Sequence, residues 1–318
     1  EHAASVQFIL FSMPQRTHRG RRVRHARKEG MTIMGIVVTG ATGQLGRLTV
    51  EALLRRGIPA ADIIATGRDI ARIKDLADRG ITVRRADFAD TESLVEAFAG
   101  ADRLLLISAS VPVGERVANH RRVIDAAVSA GVSLVAYTST THADTATTVI
   151  GATHRETEEY LLDREIPSVL LRNGWYLENY TSQLPQILQN GAVVGAAGEG
   201  RISAASRADY AEAAAAVLTA EGHTGAVYEL GGDESFTLPE LAAAISAAAG
   251  KQVAYADLPG TDLVQVLAAA GLPDELAQVL ADADRGMNRG AAQDSGRMST
   301  ATAPAAQSGC LSTPEGPT

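Results

Sequence analysis

The chain reads as an α/β protein: a Rossmann-type doubly wound parallel sheet with a smaller C-terminal α/β lobe. Three observations predict this fold. Strand and helix patterns alternate from residue 33 to residue 172. The strands are nearly continuous apolar runs, as a sheet covered by helices on both faces requires. The first strand ends in Gly40-Ala41-Thr42-Gly43-Gln44-Leu45-Gly46, a glycine turn that opens a helix.

Each element follows from its own pattern. Residues 33–39 form an apolar, β-branched run. Residues 45–56 repeat Leu45, Leu48, Val50, Leu53 and Leu54 at helical spacing, and Gly57 closes them. A strand over 62–66 and a helix over 70–79 follow, closed by Gly80. The third pair is 81–85 and 91–98, with Thr91 as N-cap and Leu94, Val95 and Phe98 turned inward. Strands over 103–107, 133–139 and 166–172 then alternate with helices over 115–130 and 153–164. Beyond Trp175 the regularity falls. Helices are expected over 176–188, 208–219, 238–249 (capped by Thr237), 262–270 and 274–283, with strands over 226–230 and 253–256. Right-handed crossovers place ligands at the carboxyl ends of the parallel strands.

Composition excludes several classes. The 318 residues are 46% hydrophobic and 21% charged, with a single cysteine, Cys310. One cysteine rules out an internal disulfide framework, a CxxC redox pair and a thiolate zinc cage. No apolar run approaches the roughly 18 residues that span a bilayer. Residues 1–30 carry seven basic side chains against two acids, a net +5, so the rest of the chain carries −13 of the total −8. That acidic body argues against nonspecific nucleic-acid binding. The basic arm reads as a disordered extension or upstream translation, because the chain starts with Glu1 while Met31 and Met34 precede the first strand; a transit or interaction segment is the alternative. Residues 287–318, rich in Ser, Thr, Ala, Gly and Pro, read as a disordered tail.

The glycine turn implies a dinucleotide. Gly40 permits the tight turn, Gly43 lets the backbone approach a pyrophosphate, and Gly46 lets helix and strand pack closely. The helix N-terminus supplies free N–H groups. The second strand ends at Ala65-Thr66-Gly67-Arg68. An acid there would hold the ribose hydroxyls of NAD; Arg68, with Arg72 and Lys74 nearby, instead suits a 2′-phosphate, so NADPH is expected. Asp87 and Phe88 are placed either to touch adenine or, for Asp87, to cap the next helix. Ser108-Ala109-Ser110 should run under the nicotinamide ribose. The domain plan is therefore a basic extension (1–30), an NADP-binding Rossmann domain (31–174), a substrate lobe (175–286) open to sharing chain with the Rossmann sheet, and a tail (287–318).

A Tyr-x-x-x-Lys dyad is missing. The lysines are Lys28, Lys74 and Lys251, and Tyr160 is followed four residues on by Arg164. Chemistry that needs a strong general acid loses support. At this point the sequence resembles the NmrA-like atypical short-chain dehydrogenases, and within them the NAD(P)H:quinone oxidoreductase type 2 group. The resemblance rests on residues 40–46, Arg68, Tyr137-Thr138-Ser139 with His142-Ala143-Asp144, Arg172-Asn173-Gly174-Trp175-Tyr176 with Glu178-Asn179-Tyr180, and Arg207-Ala208-Asp209-Tyr210. It runs from about Met34 to Asp284; the family's closing helix is not recognisable after Asp284, which implies a truncated or altered end. His154 stands where relatives carry lysine.

The resemblance implies NADPH bound along Gly40 to Leu45, Arg68, Ser108 to Ser110 and Asn173, Gly174, Trp175, Tyr176, Leu177 and Glu178. It implies a small quinone entering between the nicotinamide and the lobe that carries Tyr176 and Asn179, in a soluble, cytoplasmic enzyme that needs no flavin or metal. A homodimer is left open. Because a quinone accepts hydride readily, Asn173, Tyr176, Asn179 or His154 need only polarise its oxygen. His154, Trp175 and Arg207 have structural alternatives, as a surface or capping residue, a lobe anchor and a helix-capping or salt-bridge residue, and His142, which follows the fifth strand, is with Asp144 too sparse a pair for a metal. The rival reading is a redox sensor that binds NADP(H) without turnover.

Overall fold

The computed structural model describes residues 35–109, 112–290 and 292; the expected basic extension, Ser110 and the chain from residue 293 lie outside them. Parallel strands β1 (Ile36–Val38), β2 (Ile63–Gly67), β3 (Thr82–Arg85), β4 (Arg103–Leu106), β5 (Leu134–Thr140) and β6 (Ser168–Asn173) form one sheet. The chain then leaves for β7 (Ala192–Gly195) and returns as β8 (Val227–Leu230), which pairs with β6. The order is β3-β2-β1-β4-β5-β6-β8. Winding reverses between β1 and β4, and the crevice opened there at the carboxyl ends is where such sheets take ligands.

Period-two alternation builds two cores. Ile36 and Val38 face a cluster that includes Leu53 of α1 (Gln44–Arg55) and Ala214 of α8 (Arg207–Thr219). Val37 points the other way, into a cluster with Leu94 of α3 (Thr91–Phe98), Ile124 of α4 (Val113–Ser129) and Leu161 of α5 (Val149–Asp163). Alanines at 211 and 213–216 let α8 lie close on the sheet and α1. Leu53 is fully buried, and truncating it to alanine should cost roughly 2–5 kcal/mol.

The lobe has a separate core. Its two-stranded parallel sheet pairs β7 with β9 (Ala254–Asp257), beneath α9 (Leu238–Ala249). The α10 (Gly260–Ala269) and α11 (Asp274–Asn288) helices complete it. The stretch 175–286 is thus divided: α8 and β8 join the main sheet, and the remainder builds the lobe.

Several expected elements move. The helix over 70–79 is a 3-10 turn (Ile70–Ile73) followed by a short α2 (Lys74–Asp78). Asp90, not Thr91, caps α3: its carboxylate accepts from Ser93 N–H at 3.2 Å. The α5 helix starts at Val149, because Thr148 caps it through Gly151 N–H at 3.1 Å. The expected helix over 176–188 breaks into α6 (Glu178–Thr181) and α7 (Leu184–Asn190). Strand β7 is not expected at all. Met287, placed at the start of a tail, is only 2% exposed in the lobe core, and the Ala292 carbonyl accepts from Ser203 N–H. Apolar contacts therefore carry the ordered chain past the boundary at 287.

Candidate functional site

The glycine turn is held by its own backbone. Gly40 has φ +62°, a left-handed conformation that side chains disfavour. Its carbonyl accepts from Gly43 N–H at 2.9 Å, and Ala41 N–H donates to Thr66 O at 2.8 Å. A Cβ on Gly46 would lie 2.4 Å from Gly40 O, so only glycine lets α1 start this close to the turn. Gly43 caps α1 with no side-chain bond, leaving N–H groups of the first turn available. Gly43 and Gln44 are exposed and Thr42 half-buried, while Ala41 and Leu45 point into the core and offer only backbone. A Cβ on Gly67 would sit 2.5 Å from Thr42 Cγ2. That close approach, which keeps the ends of β1 and β2 together, was not read from the sequence.

Arg68 is exposed just beyond β2, and among the described residues no ion pair takes up Arg68 or the exposed Arg72. Lys74 is engaged with Asp78 at 3.3 Å. Two exposed guanidiniums outside any ion pair among the described residues therefore stand just beyond the end of β2. The Asp87 carboxylate accepts from Ala89 N–H at 3.1 Å and does not cap α3, while Phe88 packs on the second core.

Past β4, three successive backbone N–H groups are pinned by buried side chains. Ile107 N–H donates to Thr39 Oγ1, Ser108 N–H to Thr138 Oγ1, and Ala109 N–H to His120 Nε2, each at 2.9 Å. Since Nε2 accepts, His120 is neutral with its proton on Nδ1, which donates to Thr157 Oγ1 at 3.0 Å. Burial pulls the His120 pKa down to about 3. The sequence assigns no role to Thr39 or His120, and it offers Thr138 only as part of the Tyr137-Thr138-Ser139 motif.

His154 is 5% exposed, with Nδ1 2.7 Å from the buried Tyr137 hydroxyl. Burial, with help from the Arg116 charge, holds its pKa well below the ordinary histidine value. A neutral His154 can polarise but is no standing acid. Asn173 ends β6, 5% exposed, with Oδ1 buried and without a partner among the described residues. Burial raises the Tyr176 phenol, and a hydrogen bond from Asn173 opposes that, so these two candidates lie together. Gly174 is fixed by its N–H to Leu230 O at 2.7 Å. Trp175 and Leu177 pack on the lobe core, although Trp175 Nε1 is buried and has no hydrogen-bond partner among the described residues.

Glu178 and Asn179 are drawn to Arg207. The Glu178 carboxylate accepts from Arg207 N–H at 2.9 Å and pairs with its guanidinium at 3.4 Å. Asn179 Oδ1 accepts from Arg207 Nη2 at 3.0 Å, and the guanidinium stacks 4.4 Å from the Tyr176 ring centroid. His142 follows β5 at φ +53°, its N–H donating to Glu229. Arg172 ties that loop down through Asp144 at 3.0 Å, Glu158 at 2.7 Å and Glu229 at 2.8 Å. A hollow of about 300 Å³ between α5 and β8 adjoins this ion cluster, away from the glycine turn.

A reversed-winding parallel sheet, a glycine turn at its crevice and open arginines beside it define a dinucleotide-binding protein of the Rossmann class. The chain belongs to the NmrA-like family, whose profile matches residues 34–307. It is 49% identical over 255 residues to quinone oxidoreductase 2 of Escherichia coli, covering 80% of this chain and 88% of that one. The crystal structure of the Escherichia coli NADPH-dependent quinone oxidoreductase complexed with NADPH superposes with TM-score 0.78 at 49% identity, over 81% of this chain and 91% of that one. Triphenylmethane reductase of Citrobacter, complexed with NADP(H), gives TM-score 0.78 at 35% identity over 82% and 93%. No helix among the described residues is long and apolar enough to cross a membrane.

Proposed function

We propose that this protein is a cytoplasmic NADPH-dependent quinone reductase of the atypical short-chain dehydrogenase type. The observation that carries the reading is the 49% identity over almost the whole of a quinone oxidoreductase. The geometry fits the cofactor: a turn in which a Cβ on Gly46 has no room, exposed Arg68 and Arg72, and an orphaned Asn173 Oδ1 in need of a donor.

Bound NADPH would supply a hydride from its nicotinamide. In this reading the N–H groups around Gly43 hold the pyrophosphate, and Arg68 holds the 2′-phosphate. The pinned backbone of Ser108 and Ala109 supports the ribose. Asn173 and Tyr176 orient the nicotinamide and the quinone, which must meet at roughly 3–3.5 Å. Neutral His154 helps set the polarity of the pocket, while Glu178 and Asn179 keep its rim in place through Arg207. A homodimer is compatible with this arrangement.

The test is oxidation of NADPH, read by the reduced-nicotinamide absorbance, with and without benzoquinone. Quinone-dependent oxidation is expected, with a loss of at least tenfold in Asn173→Ala and a smaller loss in Tyr176→Phe. Saturable NADPH binding without oxidation overturns the reading in favour of a redox sensor. Unchanged rates in both variants remove those two residues from the mechanism.

A further inference from the structure

We propose that Arg116 is an anion-binding residue of the acceptor site, placed to take the oxygen that becomes negative as a quinone is reduced. This inference rests on the quinone-reductase reading and deepens it.

Arg116 lies in the first turn of α4 and reaches inward toward α5. Its Nε is shielded from water and has no partner among the described residues. Among them its Nη1 reaches Thr153 Oγ1 alone, at 3.5 Å, the outer limit of a hydrogen bond. The other inward-reaching arginines are matched. Arg172 meets Asp144, Glu158 and Glu229, Arg207 meets Glu178, and Arg103 caps the carbonyls of Leu218 and Ala220. The groups that share the field of Arg116 are Tyr137, His120 and His154, all uncharged near neutrality, and burial lowers its own pKa. The side chain is half-buried, and the part of its guanidinium that is taken from water has no counter-charge beside it among the described residues, which is costly. Such a group is a candidate for a site that a ligand completes.

The position suits that ligand. In a parallel sheet the helix after each strand starts at the carboxyl edge, so the first turns of α4 and α5 stand at the crevice. Arg116 is one turn nearer that edge than His120, which holds the Ala109 N–H. Arg116 therefore lies just beyond the loop expected to carry the nicotinamide ribose, beside Thr153 and its neighbour His154.

The chemistry supplies the anion. A hydride brings its electron pair to the quinone, the ring becomes aromatic, and one oxygen is left as a phenolate; a proton from water then completes the hydroquinone. The nicotinamide is oxidised by the same two electrons. A guanidinium binds the phenolate far better than the neutral carbonyl it came from, so its contribution appears in kcat more than in KM.

The experiment compares the unmutated protein with Arg116→Met and Arg116→Lys. The first readout needs no turnover: binding of 4-nitrophenol to the protein with NADP⁺, followed by the phenolate absorbance band as pH is varied. The unmutated protein is expected to prefer the phenolate to the phenol. Arg116→Met should lose that binding by roughly 10- to 100-fold, and Arg116→Lys should keep part of it. The second readout is turnover with benzoquinone, where kcat should fall by a similar factor in Arg116→Met. Quinone KM and NADPH affinity, read by quenching of Trp175, should stay within about twofold. Phenolate binding that survives in Arg116→Met overturns the proposal, as does an equal loss of NADPH affinity. If Arg116→Met does not fold, the unmutated protein still decides, since no preference for the phenolate sinks the idea. Should NADPH bind without quinone reduction, the quinone-reductase reading fails while phenolate binding still reports on Arg116.

Discussion

At the β1–α1 turn the protein leaves polar groups open, whereas between β6 and α8 it ties them to one another. Gly43 and Gln44 face outward, and among the described residues Arg68 and Arg72 stand without ion pairs. On the proposed acceptor side Glu178, Asn179 and the Tyr176 ring all converge on Arg207. The cofactor edge is rigid where it is covered: Thr39, Thr138 and His120 fix three consecutive amides from beneath. The proposed acceptor edge is held by the backbone bridge of Trp175 and Leu177 to Ala205 and, at its rim, by the half-buried Arg207 cluster with its stacked ring. The difference teaches what each side must do. A pyrophosphate is an invariant ligand, so a fixed backbone cradle with unspent donors suits it. An acceptor varies in shape, and a rim held by side chains can change without disturbing the cradle.

The sharpest way to break this contrast is Gly46→Val. A side chain there would meet Gly40 O at 2.4 Å and Ala41 Cα at 2.8 Å, so α1 must retreat from the turn. Saturable quenching of Trp175 by NADPH should vanish while the protein stays folded, since overpacking of this kind costs roughly 1–3 kcal/mol. Binding kept within tenfold would show that the cradle is not rigid.

A second test concerns the neutral histidines beneath the cofactor edge. His120 titrates at about 3 in the fold, and His154 well below its ordinary value; in the unfolded chain both return to about 6.5. Between those values the unfolded chain binds more protons, so stability is full above about pH 6.5 and falls as pH drops toward 3. The slope is at most about 1.4 kcal/mol per pH unit for each histidine. Urea midpoints measured near pH 7 and near pH 5 should differ clearly; equal midpoints would mean these side chains are not buried neutral.

What the sequence disclosed follows the same division. Gly40, Gly43, Gly46 and Arg68 are legible because their work is local: a φ value, a close contact a few residues away, a side chain at a strand end. The roles of Thr39, Thr138 and His120 are not, even with Thr138 inside a recognisable motif, because the amides they hold lie 68, 30 and 11 residues away. Arg207 was read as ambiguous for that reason, its choice among capping, pairing and cofactor contact being made by residues 28 and 29 positions earlier. The main sheet was legible through continuous apolar runs. The lobe strand β7, with an exposed Val194 and a terminal Gly195, carries no such run. The start of α5 was hidden by Gly151 in its first turn, which lowers helix propensity.

Arg68→Ala separates the two sides by cofactor. An open guanidinium facing a 2′-phosphate makes a charge-assisted hydrogen bond worth about 1.5–3 kcal/mol, so KM for NADPH should rise roughly 10- to 100-fold. KM for NADH, which lacks that phosphate, should hardly move. An equal rise for both cofactors would place Arg68 in general folding and not in phosphate recognition.

The smallest effect belongs to Arg207→Met, and it tests the acceptor side alone. Methionine keeps most of the apolar stem over the Tyr176 ring but removes the pair with Glu178 and the donor to Asn179 Oδ1. Arg207 N–H still donates to the Glu178 carboxylate, because that bond is backbone, so α6 should loosen without detaching. A partly exposed pair of this kind contributes about 0.2–1 kcal/mol, which predicts a rise of up to about fivefold in KM for the quinone. NADPH affinity should be unchanged, since among the described residues the polar partners of Arg207 are Glu178 and Asn179 and not the cradle at Gly40 to Gly46. Raised salt should weaken quinone binding in the unmutated protein and do less in the variant, because the charge pair is what salt screens. A fall in NADPH affinity as large as the change in quinone KM would mean that the two edges are one mechanical unit, and the division between cradle and rim would have to be given up.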